Sequence, residues 1–310
     1  MFQKETPVNT EILISSTPKA IIISTVKIAT RYIADISYPQ FYKMENNEIE
    51  LSRGTEASPD RESEDLESIQ EISDVIMKDW DAMISGKLSK DIIILIRNPL
   101  NRLQTAMVQD VVTAIPNLEQ QPLIYDWLKL KGYDGVTIEK FKNRIGSMTN
   151  LEQIADMGQR EILDSKKEKE VREVLIDLIS VYVRFYLDNP EVSLNHNTSY
   201  LPHIVGLLLS TRIDRNKITF VDIDDKDTDV DTILDACKVK DIVPKNGRAR
   251  NKTTFSNKTY INDIMSDVIK ELGGIDKFTK KAHGEFIAYN QIKKLISPPK
   301  KKTKSKTDDS

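Results

Sequence analysis

Two continuous apolar runs stand out in the pattern of hydrophobic and polar positions along the chain. Residues 19–26 read KAIIISTV and residues 91–96 read DIIILI. Short β-branched runs without polar alternation predict strands buried on both faces. A third run, KITFVDI over 217–223, predicts another strand. Helical spacing follows each of the first two strands. It runs from about Ala29 to Ser37, where Pro39 limits it, and from Leu100 to Ala114 after Asn98-Pro99. Strand-then-helix units in this order predict an α/β protein with a central parallel sheet flanked by helices.

Helical periodicity fills much of the rest. Ile72, Val75, Ile76 and Trp80 fall near one face of a helix over 69–85. The middle of the chain, 118–190, reads as helical, most clearly over 168–187. Helices are also expected over 259–272 and 286–296, with Gly273-Gly274 as a stop between them. The chain is therefore expected to be largely helical in its middle and C-terminal part. Residues 45–73 are acidic and poor in large apolar side chains, which predicts an exposed insertion. Residues 297–310, SPPKKKTKSKTDDS, form a Lys-rich tail that cannot build a core. The expected organisation is one domain over 1–296, carrying the insertion, followed by the tail.

Composition narrows the function classes. Charged residues make up 30% of the chain, yet the net charge is −3, so no global field draws in a polyanion. Nucleic acid is not an expected partner, the Lys-rich tail apart. The single cysteine, Cys237, can neither form an internal disulfide nor found a metal motif, and it suits a reducing compartment. Met1 to Lys19 lacks the basic start and apolar run of a signal peptide, and no apolar run reaches the roughly 18 residues that span a bilayer. A cytoplasmic protein without a membrane span is the expectation.

The acidic run DIDDKDTDVD, 222–231, has carboxylates at calcium-loop spacing from Asp225 through Asp227 and Asp229. Val230 stands where that loop needs glycine, and Ala236 where it needs glutamate. A strand ending in solvated acids is the expected structure, and no metal is expected.

Two strand-to-helix junctions carry the chemistry. The first, Ile21 to Ile33, sets Lys27 in a tight turn, a small residue at Ala29 and a hydroxyl at Thr30 where a helix begins. A helix start offers free N–H groups and partial positive charge, which suit a phosphate or sulfate. The second, Asp91 to Met107, sets Arg97 at the carboxyl end of a strand and Thr105 eight residues later. Open α/β sheets bind ligands outside the carboxyl ends of their strands. No standard ATP or GTP P-loop exists in the chain.

The pair resembles the sulfotransferases that use 3′-phosphoadenosine 5′-phosphosulfate (PAPS). Their P-loop-like first motif runs Pro-Lys-x-Gly-Thr-Thr/Ser-x-Leu after a strand. The matching stretch here is Val26-Lys27-Ile28-Ala29-Thr30-Arg31-Tyr32-Ile33. Their second motif ends a strand in Arg-Asn/Asp-Pro, with a serine eight residues after the arginine. Arg97-Asn98-Pro99 matches it, and Thr105 holds the serine's place. The resemblance covers about Ala20 to Met107 and is looser from His196 onward.

It implies a transferase that moves a sulfuryl group from PAPS to a hydroxyl or amine on a small-molecule, glycan or protein acceptor. Lys27, Ala29, Thr30 and Arg31 would form the nucleotide-binding loop at the 5′-phosphosulfate. Arg97 and Thr105 would hold the 3′-phosphate. Lys27 would also stabilise charge on the leaving phosphate. The general base would be His196 or Glu48, with Glu45 beside the latter; an acidic surface loop and a structural histidine are their plainer readings. Val26, Ala29 and Arg31 depart from the family's proline, glycine and second hydroxyl, and the Ala29 methyl narrows backbone approach. The rival reading is a non-enzymatic binding or structural protein that keeps a degenerate form of the fold.

Overall fold

The structure is a computed structural model describing residues 10–25, 39–55, 66–113, 200–225 and 258–296 (282 apart), with scattered positions between them. Six strands form one sheet: β1 (Thr10–Ser16), β2 (Ala20–Ser24), β3 (Gln40–Glu45), β4 (Glu48–Thr55), β5 (Asp91–Ile96) and β6 (Ile218–Asp222). Their order across the sheet is β4-β3-β1-β2-β5-β6. The helices are α1 (Leu66–Ile84), α2 (Pro99–Thr113), α3 (Leu201–Ser210), α4 (Lys258–Glu271), α5 (Gly274–Lys281) and α6 (His283–Ile296).

The α/β expectation holds, and the two strongest apolar runs are direct neighbours. β2 and β5 pair in parallel with Ala20 opposite Asp91 and Ile23 opposite Ile94. β6 extends the parallel part on the other side of β5, with Ile96 opposite Asp222. All five residues of β2 and five of the six in β5 are buried, as expected for strands covered on both faces. The carboxyl ends of all three strands therefore leave the sheet at one edge.

The other half of the sheet is antiparallel. β1 returns beside β2 through a turn in which the Thr17 hydroxyl accepts the N–H of Ala20 at 2.9 Å. β3 pairs with β1, and β4 with β3. The link between β3 and β4 is a two-residue turn, Asn46-Asn47, with φ of 50° and 68°. Two successive left-handed residues define a tight hairpin whose twist suits its strands, and asparagine tolerates that backbone best after glycine. Within the segment expected as an exposed insertion, residues 48–55 are thus a paired edge strand and 66–73 the start of α1.

α1 packs against β1 and β4. Ile76 and Trp80 are buried, and the Trp80 indole donates to the carbonyl of Asn47 at 2.9 Å. Val75, expected on the same face, is 50% exposed. Near the start of β5, the Lys90 ammonium bonds both Asp79 of α1 and, at 2.8 Å, the Ser16 hydroxyl that ends β1. Gly86, with φ of 74°, lets the chain turn out of α1 where a Cβ would come within 2.4 Å of the Arg212 carbonyl oxygen. On the remaining flanks α6 packs on α2, α3 and α5, and α4 on α2 and α5. The expected helices over 29–37 and 118–190 fall mainly outside the described residues.

Candidate functional site at the carboxyl edge of the parallel strands

β5 ends at Ile96, and the next three residues start a helix. The Asn98 side chain accepts the N–H of Leu100 at 2.9 Å, and its carbonyl accepts the N–H of Arg102 at 2.9 Å. Asn98 is the N-cap of α2, and Pro99 fills the first helical position, where its fixed φ suits and its missing N–H costs nothing. Arg97 sits immediately before this cap. Its Nε donates to Asp224 Oδ1 at 3.2 Å, while the N–H of Asn98 donates to Asp224 Oδ2 at 2.9 Å. One carboxylate thus ties the end of β5 to the turn after β6.

That turn is anchored by a second carboxylate. Asp222, only 4% exposed, accepts the N–H of Asp224 at Oδ1, 3.1 Å away. Its Oδ2 accepts the Tyr289 hydroxyl at 2.6 Å and the Lys293 ammonium at 2.9 Å. Lys293 reaches Asp225 as well, at 3.1 Å. Burial and the bond to Asp222 push the Tyr289 phenol well above its ordinary pKa. Burial pulls the Lys293 ammonium down, and its two carboxylate bonds outweigh that, leaving a net upward shift. The expectation of solvated acids at the end of β6 is therefore corrected for Asp222 and Asp224, while Asp225 is exposed. Those two are bonded, because a buried or half-buried carboxylate persists only with donors around it.

A third network lies under the same edge. Arg102 of α2 and Glu285 of α6 are 1% and 2% exposed, and Arg102 Nη2 lies 3.4 Å from Glu285 Oε2. Glu285 Oε1 accepts the N–H groups of Tyr200 and Leu201 at the start of α3. This carboxylate serves an N-terminus that has no side-chain cap of its own. The Tyr200 hydroxyl lies 3.3 Å from the carbonyl of Ile23 and 3.2 Å from that of Leu95, sharing its proton between the ends of β2 and β5. Burial, then the charge of Glu285, raises its pKa far above the usual phenol value, and Arg102 opposes the shift.

Of the residues expected in a donor site, Arg97 and Thr105 are described. Thr105 is half-buried on the second turn of α2, and its hydroxyl donates to the carbonyl of Asn101 at 2.9 Å. Its single proton is thus directed at the helix backbone. Lys27, Ala29, Thr30, Arg31 and His196 lie outside the described residues. Glu48 is exposed on β4, as Glu45 is at the end of β3. β4 stands four strand positions from β5 across the sheet, each on the order of 4.8 Å, so Glu48 is not brought to Arg97. Among the described residues no group of three or more His, Cys, Asp or Glu side chains is arranged to hold a metal ion. No helix among them is long and apolar enough to cross a membrane.

Sequence reasoning missed Asp222, Asp224, Tyr200, Glu285, Tyr289 and Lys293. One signal was present. Glu285, Tyr289 and Lys293 recur at intervals of four, which puts a polar stripe on one face of a helix. Tyr289 and Lys293 on such a stripe need acceptors, which the acidic run from Asp222 onward supplies, and Glu285 needs a cation, which Arg102 supplies.

No family model, no curated protein and no solved structure matches this chain.

Proposed function

We propose that this protein transfers a sulfuryl group from PAPS to a hydroxyl or amine acceptor, with the donor bound at the carboxyl edge of β2, β5 and β6. The observation that carries this reading is the parallel pairing of β2 with β5. It makes Ser24 and Arg97 leave adjacent strands at one edge, so the two motif-bearing segments start side by side. Ligands of open α/β sheets bind at such an edge.

The residues there suit an anionic nucleotide in part. Arg97 presents a planar guanidinium of the kind that pairs with phosphate, and its Nε donates to Asp224. Thr105 turns toward a phosphate only by giving up its bond to Asn101. When bound, PAPS supplies an activated sulfuryl group. Lys27 and Thr30 are the residues the resemblance assigns to its phosphosulfate, Lys27 steadying the leaving phosphate's charge. For the proton on the acceptor, His196 is favoured over Glu48. It stands four residues before Tyr200, whose hydroxyl meets the ends of β2 and β5, whereas Glu48 belongs to the far edge strand.

A second reading, a binding or structural protein with a degenerate donor site, draws on the same geometry. The bonds of Arg97 to Asp224 and of Thr105 to Asn101 occupy donors that a phosphate would use. Titration with the desulfated nucleotide, 3′-phosphoadenosine 5′-phosphate (PAP), followed by a transfer assay with labelled PAPS, separates the two. Saturation at 100 times the dissociation constant adds about 2.7 kcal/mol to stability. Absence of any thermal shift at millimolar PAP would end the donor-site reading. Binding without transfer to a panel of hydroxyl and amine acceptors would favour the second one.

A further inference from the structure

We propose that Asp224 is the positioning residue for the 3′-phosphate subsite, fixing the Arg97 guanidinium so that it recognises a 3′-phosphorylated nucleoside; this rests on the donor-site reading above. The bond runs from Arg97 Nε to Asp224 Oδ1 at 3.2 Å. The second carboxylate oxygen accepts the N–H of Asn98 at 2.9 Å. Asp224 bonds both the side chain of Arg97 and the backbone of the residue that caps α2. The plane of the guanidinium and the helix start are thereby set by one group.

Asp224 is itself held. Its N–H bonds Asp222 Oδ1, and Asp222 is fixed by Tyr289 and Lys293 of α6. Side chains locked in this way support a binding geometry better than a surface arginine whose rotamer is free. The lock also reaches across two strands, since β5 and β6 are adjacent and end together. A charge argument predicts the reverse: a carboxylate beside a phosphate subsite repels the anion and offsets Arg97. The two accounts differ in the sign of the effect when the Asp224 charge is removed.

The experiment measures dissociation constants for PAP and for adenosine 5′-monophosphate, which lacks the 3′-phosphate, by titration calorimetry on the full chain. Wild type, Asp224→Asn, Arg97→Ala and the double variant are compared, with thermal melts alongside. The expected result is a preference for PAP in the wild type that falls about tenfold in Asp224→Asn, with the monophosphate's affinity unchanged. In the Arg97→Ala background, Asp224→Asn should change nothing further. A purely structural role would instead weaken both nucleotides together and persist without Arg97, which would overturn the proposal. An unchanged or increased preference in Asp224→Asn would overturn it too, leaving nucleotide binding intact. If the wild type binds no PAP, the donor-site reading fails and this one with it. Should Asp224→Asn fail to fold, Asp224→Glu keeps the charge and moves the carboxylate by one methylene. It should lower the PAP preference with little change in the monophosphate, and an unaltered preference there would again refute the role.

Discussion

The Tyr289 hydroxyl lies 2.6 Å from Asp222 Oδ2, joining α6 to the last residue of β6. A phenol bonded to a buried carboxylate is a charge-assisted contact, and its loss leaves an acceptor short of a donor. Tyr289→Phe should cost about 1.5–3 kcal/mol in urea unfolding. The effect should also depend on pH. The folded pKa of Tyr289 lies above the ordinary 10.0, so the folded chain holds this proton more tightly than the unfolded one. That contribution is whole below about pH 10 and is lost as the pH rises beyond it. Tyr289→Phe should therefore show a shallower alkaline loss of stability than the wild type; equal slopes would refute the assignment.

Arg102 and Glu285 form a buried ion pair between α2 and α6. Removing one partner strands a charge in the interior. Arg102→Met should cost about 3–5 kcal/mol. Glu285→Gln keeps an acceptor for Tyr200 and Leu201 but loses the charge. The double variant should be less destabilised than the two single losses added together, because neither charge is then left alone. A double-mutant cycle in denaturant checks this, and strict additivity would show the pair to be uncoupled.

Burial on α3 lowers the pKa of His203 below its ordinary 6.5. The unfolded chain then takes up a proton at a pH where the folded chain does not. The resulting stability is full above about pH 6.5 and falls as the pH drops from there toward the folded value. Melts at about pH 7.5 and pH 5.5 should show a larger acid loss for the wild type than for His203→Gln. Equal losses would mean that other groups carry the acid sensitivity.

The Asn46-Asn47 turn gives a backbone test. Alanine at either position accepts a left-handed conformation at roughly 1–2 kcal/mol. Asn47→Gly relieves that strain and keeps the carbonyl that Trp80 uses, so it should be neutral or stabilising, the bond to Ser210 aside. Urea unfolding of Asn46→Ala, Asn47→Ala and Asn47→Gly should rank the glycine variant as most stable. A glycine variant weaker than alanine would mean the turn is not the hairpin described.

What the sequence made legible follows from how apolar each element is. β2 and β5 are almost wholly apolar, so their identity followed from the runs themselves, and the helical spacing after each run pointed to their parallel pairing. β1 has only Ile12, Leu13 and Ile14 at its centre, and its buried Ser15 and half-buried Ser16 look like loop residues in isolation. β3 and β4 carry exposed Glu45, Glu48 and Glu50 next to buried Met44 and Ile49. That alternation marks a half-exposed hairpin, but the density of acids obscured it. Val75 shows the opposite error: it fits the helical period, yet the buried face of α1 is narrower than its apolar face. The edge network was hardest to read. Its partners are polar, far apart in sequence and meaningful only once α6 lies across β6.

The four-residue spacing of Glu285, Tyr289 and Lys293 has a consequence for biogenesis. These side chains complete the edge that begins with β2 and β5, and the bonds from Glu285 to Tyr200 and from Tyr289 to Asp222 span 85 and 67 residues of chain. During synthesis the strands emerge first, while Arg102, Asp222 and the first N–H groups of α3 still await the helix that satisfies them. Contacts of such sequence separation form late, since loop closure must precede them. A nascent chain stalled before residue 283 would therefore carry a finished parallel pair and an open, charged margin. Protease susceptibility of ribosome-bound chains of increasing length should drop at that margin only after α6 has cleared the exit tunnel.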